Sequence, residues 1–302
     1  MGIVRKGVVL VCLVLPSSGF AETSDLQAGQ VRATYNAGVA NLNLGTFDMT
    51  ATLGRKDYVL TASGEVSILA GLLYRAAGKT ESNGARAGSG PEPQRYQFSF
   101  TDAKKTQTVQ IGFDRGAVQS VKRTPKKNAD RKAVPIPEGE LRDVLDPLTA
   151  AFMSVQSNAP AGDLAVCDRT LRVFDGKQRF DLTLSPKRTE KLGAGAPDGL
   201  PDTAAVCRVT YKPIGGYRRE TYAVQFLQES DGIEAWLVPV EGTGLYVPYK
   251  VIVPTTWGDG ALKLTGIEAR PSSPQRARRQ SRHSRRRRGR LQPNSADEAF
   301  LP

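Results

Sequence analysis

The stretch from Glu140 to Gln156, which reads ELRDVLDPLTAAFMSVQ, is the clearest helical pattern after the first thirty residues. Pro147 suits the first position of a helix, and Asp146 before it is a good N-cap. The pattern therefore predicts a turn up to Leu145 and a helix from Pro147 to about Ser157. Its apolar residues recur at the spacing of one helix face, i, i+3, i+4 and i+7, namely Leu141, Val144, Leu145, Leu148, Ala151, Phe152 and Val155.

Alternating apolar and polar residues, separated by Gly, Pro and Asp, surround this helix. In residues 95–100, for example, aromatic and polar side chains alternate, which is typical of a strand with one buried face. Many antiparallel strands with one helical interruption predict a mainly β fold: a strongly curved antiparallel sheet or open β-barrel with one central helix packed against it. The predicted strands are 31–36, 40–53, 58–66, 95–100, 105–113, 117–122, 171–175, 178–184, 204–211, 220–228, 233–238, 245–253 and 261–268.

Three further segments have a predicted conformation. Residues 67–77 (SILAGLLYRAA) are apolar on most sides and are read as a short buried helix, with a lip that faces lipid as the alternative. Residues 84–93 are rich in Gly, Pro and Ser and are predicted to be a loop. Asp175-Gly176, between two predicted strands, is a strong hairpin turn.

The apolar stripe of the central helix has two interpretations. It either completes the core or acts as a lid over a binding groove on the sheet. The lid would be formed by Leu148, Ala151, Phe152 and Val155.

Residues 1–21 have the order of a secretory signal peptide. Two basic residues precede the apolar run 7–15, and small residues lead to Phe20-Ala21. With Gly19 and Ala21 at the −3 and −1 positions, cleavage is expected after Ala21, and the mature protein is expected in the periplasm. The apolar run is well short of the ~20 residues that span a bilayer, which favours cleavage over an uncleaved anchor.

Removal of the signal peptide also removes Cys12 and leaves two cysteines, Cys167 and Cys207. An even number of cysteines in an exported chain predicts a disulfide, and two buried free thiols are the alternative. The chain-entropy model gives a bridge over a loop of about forty residues roughly 4 kcal/mol of stabilisation.

The formal net charge of +12 is concentrated at the carboxy terminus. Residues 270–290 contain ten arginines and no acidic residue, whereas the body, 22–269, is near neutral and is predicted to be a single β-rich domain. Residues 270–302 contain too few apolar residues to fold and are predicted to be disordered. The tail is either a dispensable extension or binds anionic lipid, lipopolysaccharide or an acidic protein through Arg276, Arg278, Arg279, Arg282, Arg285, Arg286, Arg287, Arg288 and Arg290.

The composition excludes several kinds of catalytic site. The only histidine is His283, within the arginine run, so a Ser–His–Asp or Cys–His system has no base in the body. Zinc sites that need histidine fail for the same reason, and two cysteines do not complete one. No phosphate-binding glycine loop occurs. We therefore predict no catalytic residue, no metal and no cofactor, and we expect no nucleic acid as a partner of an exported protein.

Carboxylate and aromatic chemistry remain open. A glycosidase would need two carboxylates at a suitable distance across a cleft, and the candidates are Glu138 with Glu140 or Asp143 with Asp146. The simpler interpretation is that Asp146 caps a helix and that Glu138 and Glu140 are acidic residues near a helix start.

Four aromatic residues could stack on sugar or line an apolar groove, and the simpler interpretation is that they belong to the core or the sheet surface: Trp236, Tyr246, Tyr249 and Trp257.

Two motifs resemble one family. Residues 143–150 read DVLDPLTA, and residues 173–182 read VFDGKQRFDL. With AWLVP at 235–239 and VPY at 247–249, they resemble the DUF3108 family of bacterial exported proteins over roughly residues 32–268. The resemblance implies a curved antiparallel sheet akin to periplasmic lipoprotein carriers, with a helix against its concave face. The family is uncharacterised, so the resemblance implies no catalytic residue.

These observations lead to three hypotheses for the function. The first is a non-enzymatic periplasmic protein of the cell envelope that binds an apolar ligand, such as a lipid, or a partner protein on its curved sheet. The second is a carboxylate-dependent hydrolase of envelope glycans. The third is a structural scaffold that its arginine tail tethers to anionic surfaces.

Overall fold

The computed structural model describes residues 28–40, 42–68, 74–87, 90–102, 105–126 and 130–271. Within them, thirteen strands form one antiparallel sheet. The strands are β1 (Gly29–Val39), β2 (Leu42–Leu53), β3 (Asp57–Ile68), β4 (Tyr74–Ala87), β5 (Gly90–Asp102), β6 (Lys105–Asp114), β7 (Ala117–Thr124), β8 (Arg169–Phe174), β9 (Arg179–Lys191), β10 (Thr203–Gly215), β11 (Glu234–Val240), β12 (Leu245–Thr255) and β13 (Gly258–Pro271). The helices are α1 (Pro147–Phe152), α2 (Tyr222–Glu229) and one 3₁₀ turn (Leu164–Cys167).

The order of strands explains why a central segment is needed. The sheet runs β7-β6-β5-β4-β3-β2-β1-β13-β12-β11-β10-β9-β8, so its two edge strands, β7 and β8, follow one another in the sequence. The chain therefore starts in the middle of the sheet, reaches one edge at β7, and crosses to the other edge before it returns. The described residues between β7 and β8, 125–126 and 130–168, belong to that crossing and contain α1.

The crossing chain spans the gap between the two edge strands. Residues 139–145, here called the seam segment, hydrogen-bond to both. On the β7 side, the Val118 amide donates to the Leu141 carbonyl at 3.0 Å. On the β8 side, the Leu145 amide donates to the Arg172 carbonyl at 2.7 Å, and the Phe174 amide donates to the Leu145 carbonyl at 2.9 Å. The sheet is thus not closed by direct pairing of its edges, but the seam segment bonds to backbone groups of both edge strands, at Val118 on β7 and at Arg172 and Phe174 on β8.

The sheet curves around α1. The helix packs against β4, β8 and β12, which are far apart in the order of strands, so the sheet must wrap around it. We call the face toward α1 the inner face. Buried inner-face side chains alternate with polar side chains on the outer face, as in β3, where Tyr58 and Leu60 are buried and Thr61 is exposed. The mainly β, curved and open antiparallel sheet predicted from the sequence is confirmed.

The predicted helix begins where expected and ends early. Asp146 is the N-cap of α1 and Pro147 its first residue, as predicted. The helix ends at Phe152 instead of Ser157, because the following residues pair with the start of β12. The Tyr246 amide donates to the Val155 carbonyl at 3.0 Å, and the Ser157 amide donates to the Gly244 carbonyl at 2.9 Å.

Two predicted elements are wrong. Residues 220–228 are predicted as a strand, but Tyr222–Glu229 form α2. The four-residue spacing of Tyr222 and Phe226 places both rings on one helix face, where their centroids lie 5.9 Å apart. Residues 84–93 were predicted as a loop but belong mostly to β4 and β5. Gly84 makes this pairing possible, since a Cβ there would lie 2.2 Å from the Glu92 carbonyl oxygen.

The predicted buried helix at 67–77 is wrong at both ends. Its first two residues belong to β3 and residues 74–77 belong to β4, while 69–73 lie outside the described residues. The structure also contains more helices than the one predicted, because α2 and the 3₁₀ turn accompany α1.

No helix among the described residues is long and apolar enough to cross a membrane.

The predicted disulfide joins Cys167 at the end of the 3₁₀ turn to Cys207 in β10, with the Cα atoms 5.3 Å apart. Both cysteines are fully buried in an apolar cluster with Val166, Leu171 and Tyr246. The bridge closes a loop with a sequence separation of 40 and fixes the crossing chain to the carboxy-terminal strands.

Removal of this bridge is expected to lower the free energy of unfolding by about 2–4 kcal/mol, because the unfolded chain regains the entropy of an open loop. The variant is Cys167→Ala with Cys207→Ala, measured by guanidinium unfolding followed by circular dichroism. Wild-type protein unfolded in excess dithiothreitol should match the double variant. A double variant as stable as the oxidised wild type would contradict the prediction.

Candidate ligand-binding groove

A groove lies on the inner face of β5, β6 and β7, beyond the strands that α1 chiefly covers. Its floor is formed by apolar side chains that face each other across the strands. Phe98 on β5 is paired with Val109 on β6, and Val121 on β7 is paired with Ile111, which is buried beneath the floor. Val121 is 42% exposed although it faces inward. The helix therefore fills one part of the inner face and leaves this part open.

The walls of the groove come from distant parts of the chain. One wall is the tip of the β8–β9 hairpin, from Phe174 to Lys177, and the other is the linker 130–136 with the end of β10. Together with the floor they border an open groove with a volume of about 1210 Å³. A space of this size holds a ligand with a long apolar chain.

The hairpin wall is rigid and lies directly on the floor. Asp175 Oδ1 accepts hydrogen bonds from the backbone amides of Lys177 at 2.7 Å and Gln178 at 2.6 Å. Gly176 has a φ of 90°, and a Cβ there would lie 2.5 Å from Val109 Cγ1. Only glycine therefore allows this turn to approach the floor so closely.

The linker wall is held by backbone pairing with the end of β10. The Val134 amide donates to the Tyr217 carbonyl at 2.8 Å, and the Gly216 amide donates to the Val134 carbonyl at 2.7 Å. An exposed ion pair between Arg218 and Asp130 adds to this attachment. The hydrogen bond from Arg218 lowers the pKa of Asp130 below its usual value.

Basic side chains surround the groove. Arg123 on β7, Arg131 in the linker and Lys177 on the hairpin tip line it, together with the Arg218–Asp130 pair. Among the described residues, none of the three forms a salt bridge or a side-chain hydrogen bond to a protein acceptor. The groove therefore combines an apolar floor with an excess of positive charge. Burial raises the pKa of Tyr96 at the floor to about 12, so its hydroxyl stays neutral.

The structure places three of the four proposed lid residues in the core. Leu148, Phe152 and Val155 are buried, and Phe152 packs against Tyr35 with ring centroids 5.7 Å apart. Ala151 is exposed. The groove on β5, β6 and β7 is lined by other residues.

The carboxylate of Asp146 lies at the centre of a buried polar network. Its Oδ1 accepts from the amides of Leu148 and Thr149 at 3.0 Å, and its Oδ2 accepts from the hydroxyls of Ser82 and Thr149 at 2.7 Å. The Tyr58 hydroxyl lies 3.0 Å from Thr149 Oγ1. Burial raises the pKa of Asp146, and these hydrogen bonds oppose the shift. Asp146 connects the helix start to β3 and β4.

The other predicted carboxylates lie around the seam segment. Glu140 bonds to Arg172 at 3.0 Å and to Arg179 at 3.1 Å. Asp143 has a positive φ of 52° within the same segment, and Glu138 is exposed. The described residues contain no group of three or more His, Cys, Asp or Glu side chains arranged to hold a metal ion.

The four aromatic residues have different environments. Tyr246 and Tyr249 are buried. Trp236 lies between Arg188 and Lys250, with its indole N–H donating to Glu234 at 2.9 Å. Trp257 is 80% exposed at the β12–β13 turn. The predicted signal peptide and the arginines from Arg276 to Arg290 lie outside the described residues.

Sequence reasoning did not find the groove. The basic and polar run from 122 to 132 reads in the sequence as a solvated linker, yet it supplies Arg123, Asp130 and Arg131 to the groove. The available signal was the alternation in β7, where Val121 and Arg123 share a face and Lys122 lies on the other.

Comparisons with known proteins identify the family of the chain and supply no activity. A family model described as "Protein of unknown function (DUF3108)" matches residues 30–265. No curated protein matches the chain. A crystal structure of a beta-barrel-like protein of the domain of unknown function DUF1849, from Brucella abortus, matches with 10% identity, a TM-score of 0.44, and coverage of 80% of this chain and 98% of that chain.

Proposed function

Because the chain belongs to the DUF3108 family of proteins of unknown function, we propose a function from its groove: it is a non-enzymatic protein of the cell envelope that binds an apolar ligand on the inner face of its sheet. The protein acts in the periplasm after export by the signal peptide of residues 1–21. The buried disulfide supports an oxidising compartment.

The open apolar floor is the observation that supports this proposal best. An antiparallel sheet that wraps around a helix gains stability by filling its inner face, and this sheet does so around α1. Over β5, β6 and β7, apolar side chains such as Phe98, Val109 and Val121 instead line a large cavity. A bound ligand would gain about 0.8 kcal/mol for each CH₂ group transferred from water.

The walls are suited to binding because they are preorganised. The hairpin tip is fixed by the Asp175 turn, and the linker is fixed by its pairing with residues 216–217. A ligand that enters the groove therefore does not have to order these segments, which lowers the entropic cost of binding.

A tryptophan in the floor is expected to weaken binding of an apolar probe at least tenfold, because the indole occupies the space of the ligand. The variant is Val121→Trp, and the probe is the uncharged dye N-phenyl-1-naphthylamine, titrated by fluorescence into delipidated full-length protein. The matched control is Val59→Trp. Val59 has the same 42% exposure but lies between buried Tyr58 and Leu60 and so faces outward.

The wild type and the control should bind the dye with the same affinity. Wild type that fails to bind the dye, or a Val121→Trp variant that binds it as tightly as the control, would overturn the proposal. Mass spectrometry of organic extracts from periplasmically produced protein adds an independent measurement. It should find a co-purified lipid in the wild type and the Val59→Trp control, at a level reduced in Val121→Trp.

A further inference from the structure

We infer that the ligand of the groove is an anionic amphiphile, with its apolar chain on the floor and its acidic head group held by Arg123, Arg131 and Lys177. The inference rests on the proposed function and specifies its ligand. The chemical class is a single long apolar chain that ends in a phosphate or a carboxylate.

The position of Arg123 relates the charge to the floor. Arg123 is paired with Val109 across β6 and β7, and it lies two residues from Val121 on the same face of β7. Two residues along a strand correspond to roughly 7 Å. A chain that covers Val109 and Val121 therefore brings its head group within reach of the guanidinium.

The three cations reach the groove from three separate parts of the fold. Arg123 comes from the inner face of β7, Arg131 from the linker, and Lys177 from the hairpin tip. A basic run on one exposed segment is usually a solvated surface. Convergence of three segments on one apolar cavity is instead the arrangement of a binding site with a few charged groups around an apolar floor.

The acidic residues of the groove neutralise only part of this charge. The groove is lined by four cations, Arg123, Arg131, Lys177 and Arg218, and by two carboxylates, Asp130, which is paired with Arg218, and Asp175. The body of the chain from 22 to 269 is near neutral, so this excess of positive charge is local. An anionic head group would complement it, whereas a cationic head group would be repelled.

The residue types indicate the acidic groups that fit. The planar guanidinium of arginine donates two parallel hydrogen bonds to a carboxylate or a phosphate, and lysine adds a point charge. Both head groups share this chemistry, so the experiment compares a fatty acid with a phospholipid. The neutral floor and the charged rim together select an amphiphile over a free anion.

The test is displacement of N-phenyl-1-naphthylamine from the full-length protein by four competitors. Three have the same fourteen-carbon chain: myristate, 1-myristoyl lysophosphatidic acid and zwitterionic 1-myristoyl lysophosphatidylcholine. The fourth is inorganic phosphate. At least one of the two anionic amphiphiles should displace the dye at a tenfold lower concentration than the zwitterion, and millimolar phosphate should not displace it. The preference for the anionic amphiphiles over the zwitterion should decrease in 0.5 M NaCl, because salt screens the attraction between the head group and the cations.

Charge reversal identifies the site. Arg123→Glu and, separately, Arg131→Glu should each reduce the ratio of anionic to zwitterionic affinity about tenfold. Both affinities are measured in the same variant, so a general loss of groove binding lowers them equally and does not change their ratio. Lys122→Glu is the matched control, since Lys122 is the neighbour of Arg123 on β7 and faces outward. It should keep the wild-type ratio.

The outcomes separate the two proposals. Preference for myristate, for lysophosphatidic acid, or for both supports the inference and identifies the acidic group. Equal displacement by all three amphiphiles overturns the anionic head group and leaves the apolar groove intact. An unchanged ratio in both arginine variants also overturns it. Absence of dye binding by the wild type overturns both proposals.

Discussion

Replacement of Asp146 by alanine is expected to lower the free energy of unfolding by about 3–5 kcal/mol. The substitution removes the N-cap of α1, which alone is worth about 1 kcal/mol. It also removes the carboxylate acceptor of the Ser82 and Thr149 hydroxyls in a fully buried site, where they keep only each other and the Tyr58 hydroxyl as partners. Each buried polar group that loses its partner costs about 1–3 kcal/mol. Urea unfolding of the oxidised protein, followed by circular dichroism, measures the loss.

Asp163 provides the matched control. It caps the 3₁₀ turn through one hydrogen bond, from the Ala165 amide at 2.9 Å, at an exposed position. Asp163→Ala should therefore cost about 1 kcal/mol, as an ordinary cap does. Asp146→Asn should fall between the two alanine variants, because the amide oxygen still caps the helix and the amide nitrogen can donate to the two hydroxyls. Equal costs for the two alanine variants would contradict a network centred on Asp146.

The start of α1 could be predicted from sequence because its chemistry is local. Asp146 and Pro147 define a helix start through their own side chains, and the structure shows that cap. The end of the helix could not be predicted, since it depends on hydrogen bonds between residues 155–157 and the β12 region about ninety positions away, where the Tyr246 amide donates to the Val155 carbonyl. Similarly, residues 222–226 satisfy a two-residue period and a four-residue period, and only packing decides between them.

The groove is less accessible to sequence reasoning than the fold. Alternation in β5, β6 and β7 predicts an inner face, but not whether that face is filled. That outcome depends on where α1 and the hairpin tip lie, and both follow from the crossing of the chain between β7 and β8. The two motifs that carry the resemblance lie on either side of the seam contact. Asp143 and Asp146 belong to the crossing chain, and Asp175, Arg179 and Asp181 belong to the β8–β9 hairpin.

Arg179 holds the seam segment against the sheet. Its side chain is 1% exposed. Its Nε donates to the Glu140 carbonyl at 2.9 Å, and its Nη2 lies 3.1 Å from the Glu140 carboxylate. Its Nη1 donates to the Phe180 carbonyl at 2.7 Å and to Asp181 at 2.6 Å. One guanidinium thus joins β9 to the segment that spans the two edges.

Arg179→Ala is therefore expected to cost about 3–5 kcal/mol, the usual range when one partner of a buried, hydrogen-bonded charge pair is removed. Arg179→Lys should recover only part of the loss, because an ammonium group cannot reproduce the planar fork. Arg172→Ala is the control, since Arg172 bonds the same Glu140 carboxylate from a position that is 35% exposed. A pair at such a site is worth about 1 kcal/mol or less.

Hydrogen exchange distinguishes a seam contact from general packing. In Arg179→Ala, the amides of Val118, Leu145 and Phe174, which close the gap between β7 and β8, should lose more protection than amides in the pairing of β1 with β2. The hairpin tip begins at Phe174, so loosening here should also weaken binding of N-phenyl-1-naphthylamine. A uniform loss of protection across the sheet would show that Arg179 stabilises the whole fold and has no particular role at the seam. Wild-type protection of the three amides would contradict its role altogether.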